Sequence, residues 1–295
     1  MKKSILFVLL FLALGCVGRP LMIPFGEGTV KVSPPKSQVY YKNQGYSQLV
    51  EANKEMAMDH DKLAYDKLID QENKQHCLDL STFFVAHVLK EHPEYLTKYA
   101  QDFAKLSFYE KAIFLRGIRS AGMEHDLLNN ISDKKLEKIV NDPALLTLEK
   151  SHPSQVKNCD ELDYLWVSFF STGNETYIRQ ILEVLNRDDE LLLLAYEWIN
   201  RGYIADLLSG LEGKEVPPDY ADLNGIIQMK SKEKKDYLLQ FLISQAAFWS
   251  LEANAKQDPT IHQLIQKIIK SKPALDYWKK INTALGNPGS APIFH

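Results

Sequence analysis

The residues of this chain that are able to do chemistry are few, and each set competes with a structural use. Its three cysteines are Cys16, Cys77 and Cys159. A thiol becomes a nucleophile when a neighbouring base or cation lowers its pKa. His76 beside Cys77 cannot be that base, because successive residues on a helix point about 100° apart. The same geometry removes a metal reading of Asp59-His60-Asp61, whose side chains fan out instead of converging. Glu124-His125-Asp126 sets carboxylates beside an imidazole in a short turn, where capping and solvation are the ordinary uses. Ser171 and Thr172 before Gly173 offer hydroxyls to a ligand and equally to the unsatisfied end of a helix. Glu197 beside Trp198, and Glu252 after Trp249, are the carboxylates most readily drawn into apolar surroundings. Burial raises a carboxyl's pKa, as the general acid of glycan hydrolysis requires, but the second acid of that reaction cannot be placed from the sequence. No Gly-rich phosphate loop, Cys-x-x-Cys, His-Glu-x-x-His or Gly-x-Ser-x-Gly elbow occurs, so no metal and no cofactor is expected.

The elements that must position these groups read as helices throughout. Ser47 to Glu72 spaces Leu49, Val50, Met56, Leu63, Leu68 and Ile69 among dense charge, a long surface helix with a narrow apolar stripe. Leu78 to Leu89 is largely apolar and stops before His92-Pro93, and Pro93 opens Glu94 to Leu106. Ser107 and Glu110 have the spacing of a capping box at the start of Phe108 to Ala121, with Gly122 as its terminator. Ser132 caps a short helix to Val140. Asn158 or Asp160 caps Glu161 to Thr172, in which Leu162, Leu165, Trp166, Phe169 and Phe170 share one wide face. Gly173 supplies the left-handed residue that ends this helix, and Asn174 caps the next, where Ile178, Ile181, Leu182 and Leu185 repeat the pattern. Asp188 to Asn200 is apolar nearly all round, Tyr203 to Leu211 is shorter, and Ser231 caps a helix to about Gln257. Asp258-Pro259 restarts the chain into Ile261 to Ile269, and Pro273 opens Ala274 to Leu285, where Trp278 and Ile281 close the core.

The expected fold class is all-α, an irregular multi-helix bundle or a short helical-repeat-like solenoid after an extended amino-terminal tether. The breaks at Gly173, Gly202 and Gly213 are unevenly spaced and no repeat consensus occurs, which favours the bundle. Residues 47–150 form an N-terminal helical part, 151–286 a C-terminal helical part continuous with it, and 287–295 a tail. Trp166 to Asn174 and Ala246-Ala-Phe-Trp-Ser-Leu-Glu-Ala-Asn254 resemble motifs of poorly characterised bacterial helical proteins. That resemblance covers Asp160 to Gln257 and implies no reaction.

The amino terminus carries the most specific pattern. Lys2 and Lys3 precede an apolar run from Ile5 to Leu14, too short for the roughly 20 residues that span a bilayer, and this reads as an export signal. The run ends in Leu12-Ala-Leu-Gly-Cys16, which resembles the lipobox of bacterial lipoproteins, a small residue before an invariant cysteine. The resemblance implies that leader 1–15 is cut before Cys16, whose thiol takes a diacylglycerol and whose new amino group is acylated. Ala13 departs from the pattern, since Leu is commonest three residues before the cysteine. An ordinary cleaved signal and an uncut anchor are the competing readings. Several acyl chains, at about 0.8 kcal/mol per buried methylene, make attachment effectively permanent. In the Gram-negative family Asp after the cysteine retains the protein at the inner membrane, so Val17 implies the outer one, facing the periplasm. Residues 16–46, with Pro20, Pro24, Pro34 and Pro35, then form an extended tether with a short strand at Thr29 to Val32.

Once Cys16 is lipidated, Cys77 and Cys159 remain as an even pair in an oxidising compartment, either bridged to each other or packed as separate thiols. Without Lys2 and Lys3 the chain carries 33 basic against 38 acidic residues, a net of −5. That balance disfavours a nucleic-acid partner, whose phosphates need clustered Lys and Arg; the Lys-rich run 230–235 is broken by Glu233 and followed by Asp236. The composite expectation is a membrane-anchored lipoprotein that binds an envelope or protein partner without catalysis. Its alternatives are an envelope glycan or peptidoglycan hydrolase using Glu197 or Glu252, and an accessory lipoprotein of secretion or assembly.

Overall fold

A computed structural model describes residues 35–65, 71–145, 147–148, 156–185 and 231–271. These residues are 82% helical and contain no strand, so the chain is an all-α, multi-helix protein. The helices are α1 (Lys36–Val39), continued by a 3-10 turn at Tyr40–Lys42, α2 (Tyr46–Tyr65), α3 (Gln71–Glu91) and α4 (Glu94–Asp102) with a 3-10 turn at Phe103–Lys105. They continue as α5 (Phe108–Ser120), α6 (Asp126–Asn129), α7 (Lys134–Val140), α8 (Cys159–Thr172), α9 (Glu175–Val184), α10 (Ser231–Gln257) and α11 (Pro259–Ser271).

Local chemistry sets most of these ends. Ser107 Oγ accepts from the Glu110 amide at 3.4 Å while the Glu110 carboxylate accepts from the Ser107 amide at 2.9 Å, the capping box foreseen for α5. Gly122 follows with φ 68° and Gly173 ends α8 with φ 71°, conformations that side chains other than glycine's resist. Asn174 Oδ1 accepts from the Thr176 amide at 3.0 Å to cap α9, and Asp258 Oδ1 from the Thr260 amide at 2.9 Å to cap α11. Two boundaries differ from expectation. Asp133, not Ser132, caps α7, because its carboxylate reaches the amides of both Lys135 and Leu136. Glu72 belongs to α3, which begins at Gln71, whereas α2 ends at Tyr65.

The chain divides by contacts into two compact units, Met1–Ser154 with Asp160–Gln180, and Gln155–Cys159 with Ile181–His295. In the first, α2, α3 and α5 each pack on the other two, and α7 lies against α5. Helix α3 is buried continuously from Cys77 to Leu89 apart from Asp79. Burying large residues such as Phe83, Phe84 and Leu89 contributes about 1.5–3 kcal/mol each. Gly117 lets α5 approach α3 closely, for a Cβ there would lie 2.7 Å from Val85 Cγ1.

Helix α8 groups by contacts with this unit. Tyr164 and Val167 join the core formed by α2 to α5, and Tyr41 packs on Phe169 with centroids 4.8 Å apart. Leu162, Leu165, Trp166, Phe169 and Phe170 are all buried, but so are Tyr164, Val167, Ser168 and Ser171, so burial runs nearly all round the helix. In the second unit α10 and α11 pack on one another. Ile243, Ala247, Leu251 and Ala255 form an i, i+4 stripe on α10, and Ile261, Ile265 and Ile268 supply the apolar face of α11. Cys16, the strand at Thr29 to Val32, the helices over 188–211 and 274–285, Glu197, Trp278 and Ile281 lie outside the described residues.

Candidate functional site

The polar groups of the first unit gather around α3. On its α2 side is a cavity of about 130 Å³, bounded by Pro35 and Ser37 at the start of the described chain, by α2, by α3 and by Val167 of α8. Met56, Leu63, Leu80 and Phe84 make its wall apolar, and Ser37, His60, Cys77 and Ser81 add polar surface. Glu55, Asp59 and Lys62 also line it, and Lys62 is paired with Asp59 at 3.0 Å. The Glu55 carboxylate accepts from the Lys36 amide, which ties α1 to α2.

His60 is 5% exposed while Asp59 and Asp61 face solvent, so the trio diverges as helix geometry requires. The imidazole stacks on Tyr109 at 5.6 Å, and its Nε2 lies 3.1 Å from Ser81 Oγ. Burial, chiefly, pushes its pKa down to about 4, so the ring is neutral near pH 7. Buried His87 makes a second pair of the same kind, its Nε2 2.8 Å from Ser168 Oγ. Histidine beside serine invites a nucleophile-and-base reading. In both pairs, however, the serine donates its one hydrogen backward along its helix, Ser81 to the Cys77 carbonyl at 3.1 Å and Ser168 to the Tyr164 carbonyl at 2.8 Å. With the serine's hydrogen on that carbonyl, the histidine nitrogen is the donor to Oγ, and each pair then serves to join two helices.

The opposite side of α3 is charged. Arg116 of α5 is fully buried: Nη2 donates to the Asp79 carboxylate, Nε to Thr82 Oγ1 at 3.1 Å and Nη1 to the Ile139 carbonyl at 2.8 Å, with Asp142 3.9 Å away. It fastens α3, α5 and the end of α7 together. Burial lifts the Asp79 carboxyl above its ordinary range, against the opposing pull of Arg116 and Gln75. One turn earlier on α3, His76 Nε2 meets Asp163 Oδ2 of α8 at 3.0 Å in a partly buried pair. Burial lowers the His76 pKa, but Asp163, with Asp160 and Asp79, outweighs it and holds the ring above its ordinary value. Asp79 and Arg116 gave no sequence signal beyond their type, because only the packing of α5 on α3 shows a charged pair inside the core.

The residues singled out by sequence fall in separate places. Cys77 is buried on α3, lines the cavity and is disulfide-bonded. Cys159, at the start of α8, is a buried thiol and not half of a disulfide, so the bridge to Cys77 is not formed. Glu252 lies on α10 in an i, i+4 ion pair with Lys256, the use of a pairing anion. Ser171 Oγ donates to the Ser168 carbonyl at 3.0 Å, and Thr172 Oγ1 donates to that same carbonyl at 2.7 Å while accepting from the Asn174 amide at 3.1 Å. Helix-end satisfaction thus engages both hydroxyls. His125 Nδ1 accepts from the Leu127 amide at 3.2 Å and is the cap of α6.

Among the described residues no group of three or more His, Cys, Asp or Glu is placed to hold a metal ion, and no helix is long and apolar enough to cross a membrane. Comparison with protein-family models, with characterised proteins and with solved structures finds no match to this chain.

Proposed function

We propose that the protein is a lipoprotein held at Cys16 in the outer membrane and facing the periplasm, whose helical body binds an envelope or protein partner without catalysis. The observation that carries this is the amino-terminal pattern, Lys2 and Lys3, the apolar run to Leu14, and Leu12-Ala-Leu-Gly-Cys16 at its end. The prolines that follow suit a spacer that holds a folded body off a bilayer. The non-catalytic half draws support from the serine–histidine pairs, which spend their hydrogens on helix joints, and from the pairing of Glu252 with Lys256.

The test is fractionation with intact mass. The native chain is expected in the membrane fraction with Cys16 as its first residue and acyl mass added there, and Cys16→Ser is expected to move it to the soluble fraction. A native chain that carries no acyl mass, or whose Cys16 is instead joined to another cysteine, ends the anchoring proposal. Hydrolysis of peptidoglycan by the purified chain would end the non-catalytic half.

A further inference from the structure

We propose that the cavity between α2 and α3 is a binding site for a small uncharged molecule with an aromatic or branched apolar body and a single hydroxyl group. Size is the first argument. At about 130 Å³ the space is close to the roughly 150 Å³ that holds benzene in a protein interior, and far too small for a long acyl chain. The wall is the second. Met56, Leu63, Leu80, Phe84 and Val167 surround the space with hydrocarbon, sulfur and one aromatic ring.

The polar surface then selects the hydroxyl. His60 and Ser81 both line the cavity, and Ser81 Oγ accepts one hydrogen while donating its own to the Cys77 carbonyl. Its second lone pair is an acceptor, and the Ser37 hydroxyl, which also lines the cavity, can donate as well as accept. A hydroxyl group, which both donates and accepts, matches this; a pure hydrocarbon does neither. Anions are disfavoured twice, because burial keeps His60 uncharged near neutral pH and the mouth carries Glu55 and Asp59 against a Lys62 already paired to Asp59. The argument uses the lining of the cavity and not the lipoprotein reading, so the lipid anchor can fail its test while this one succeeds.

The probe is phenol, titrated into the full chain and read by NMR at the methyl groups of Leu63 and Leu80. Phenol is expected to shift both sets saturably in the millimolar range, and benzene about fivefold more weakly, as loss of one net hydrogen bond implies. Benzoate is expected to leave them unmoved. Met56→Trp, which fills the space from a partly exposed position, is expected to abolish the phenol response while keeping the helical circular dichroism; if that variant does not fold, Leu63→Phe takes its place. No saturable shift with phenol, equal binding of benzoate, or an undiminished response in the folded filled variant would overturn the proposal.

Discussion

At the scale of single residues, two histidines of the first unit titrate in opposite senses, and the difference lies in their neighbours. His60 is buried in a largely apolar setting and its pKa falls to about 4, below the ordinary value near 6.5 of an unfolded chain. Between those two pH values the unfolded chain binds a proton that the native state refuses. The stability tied to this ring is therefore present above pH 6.5 and lost as pH falls toward 4, a change on the order of 3 kcal/mol. His76, held above its ordinary value despite burial by Asp163, Asp160 and Asp79, contributes in the other sense: its stability is present below pH 6.5 and lost as pH rises through the folded pKa. Urea unfolding at pH 7 and pH 4.5 should show a smaller acid loss in His60→Phe than in the parent, by about 2 kcal/mol. An unchanged acid loss would mean that His60 is protonated in the native state at no cost. Neither behaviour was legible in the sequence, which sets His60 between two aspartates without showing which way they turn. Asp59 and Asp61 turn to solvent, while the groups that raise His76 come largely from α8, far along the chain.

At the scale of elements, the contact between α3 and α5 rests on an absent side chain. Gly117 sits in the middle of α5, where glycine costs roughly 1 kcal/mol relative to alanine in helix propensity. Its use is steric, since a Cβ would fall 2.7 Å from Val85 Cγ1, 3.1 Å from Val85 Cβ and 3.4 Å from the Ala86 amide nitrogen. Gly117→Ala should therefore destabilise by about 1–3 kcal/mol in spite of its better propensity, because the helices must separate or Val85 must shift. Adding Val85→Ala removes the opposing methyl groups, so the double variant should be more stable than the sum of the single losses predicts. Strict additivity in chemical denaturation would show that the two residues do not oppose one another. The sequence displayed the apolar face of α5, with Ala112, Ile113, Leu115 and Ile118, and the helix ends at Ser107 and Gly122. It gave no reason for Gly117, since a glycine needed for close approach looks the same as one merely tolerated until the partner helix is known.

At the scale of the whole molecule, address and body come from different kinds of information. If the lipoprotein proposal holds, Val17→Asp should move the chain from outer-membrane to inner-membrane fractions on a density gradient, with the folded body unchanged. An unaltered distribution would separate the anchor from the sorting rule inferred for Val17. The amino-terminal pattern, the all-helical class and most helix ends could be read without coordinates, because each depends on residues within a few positions of one another. Capping needs an oxygen near an exposed amide, chain reversal needs a glycine free to take positive φ, and an amphipathic helix needs only its own period. Tertiary structure decided what those local rules leave open. It joined α8 to the first unit through Tyr164 and Val167, placed Arg116 beside Asp79 within the core, and closed a cavity between α2 and α3. Each of these depends on side chains distant in sequence competing for one volume and one set of hydrogen-bond partners, and that competition is resolved only when the helices pack.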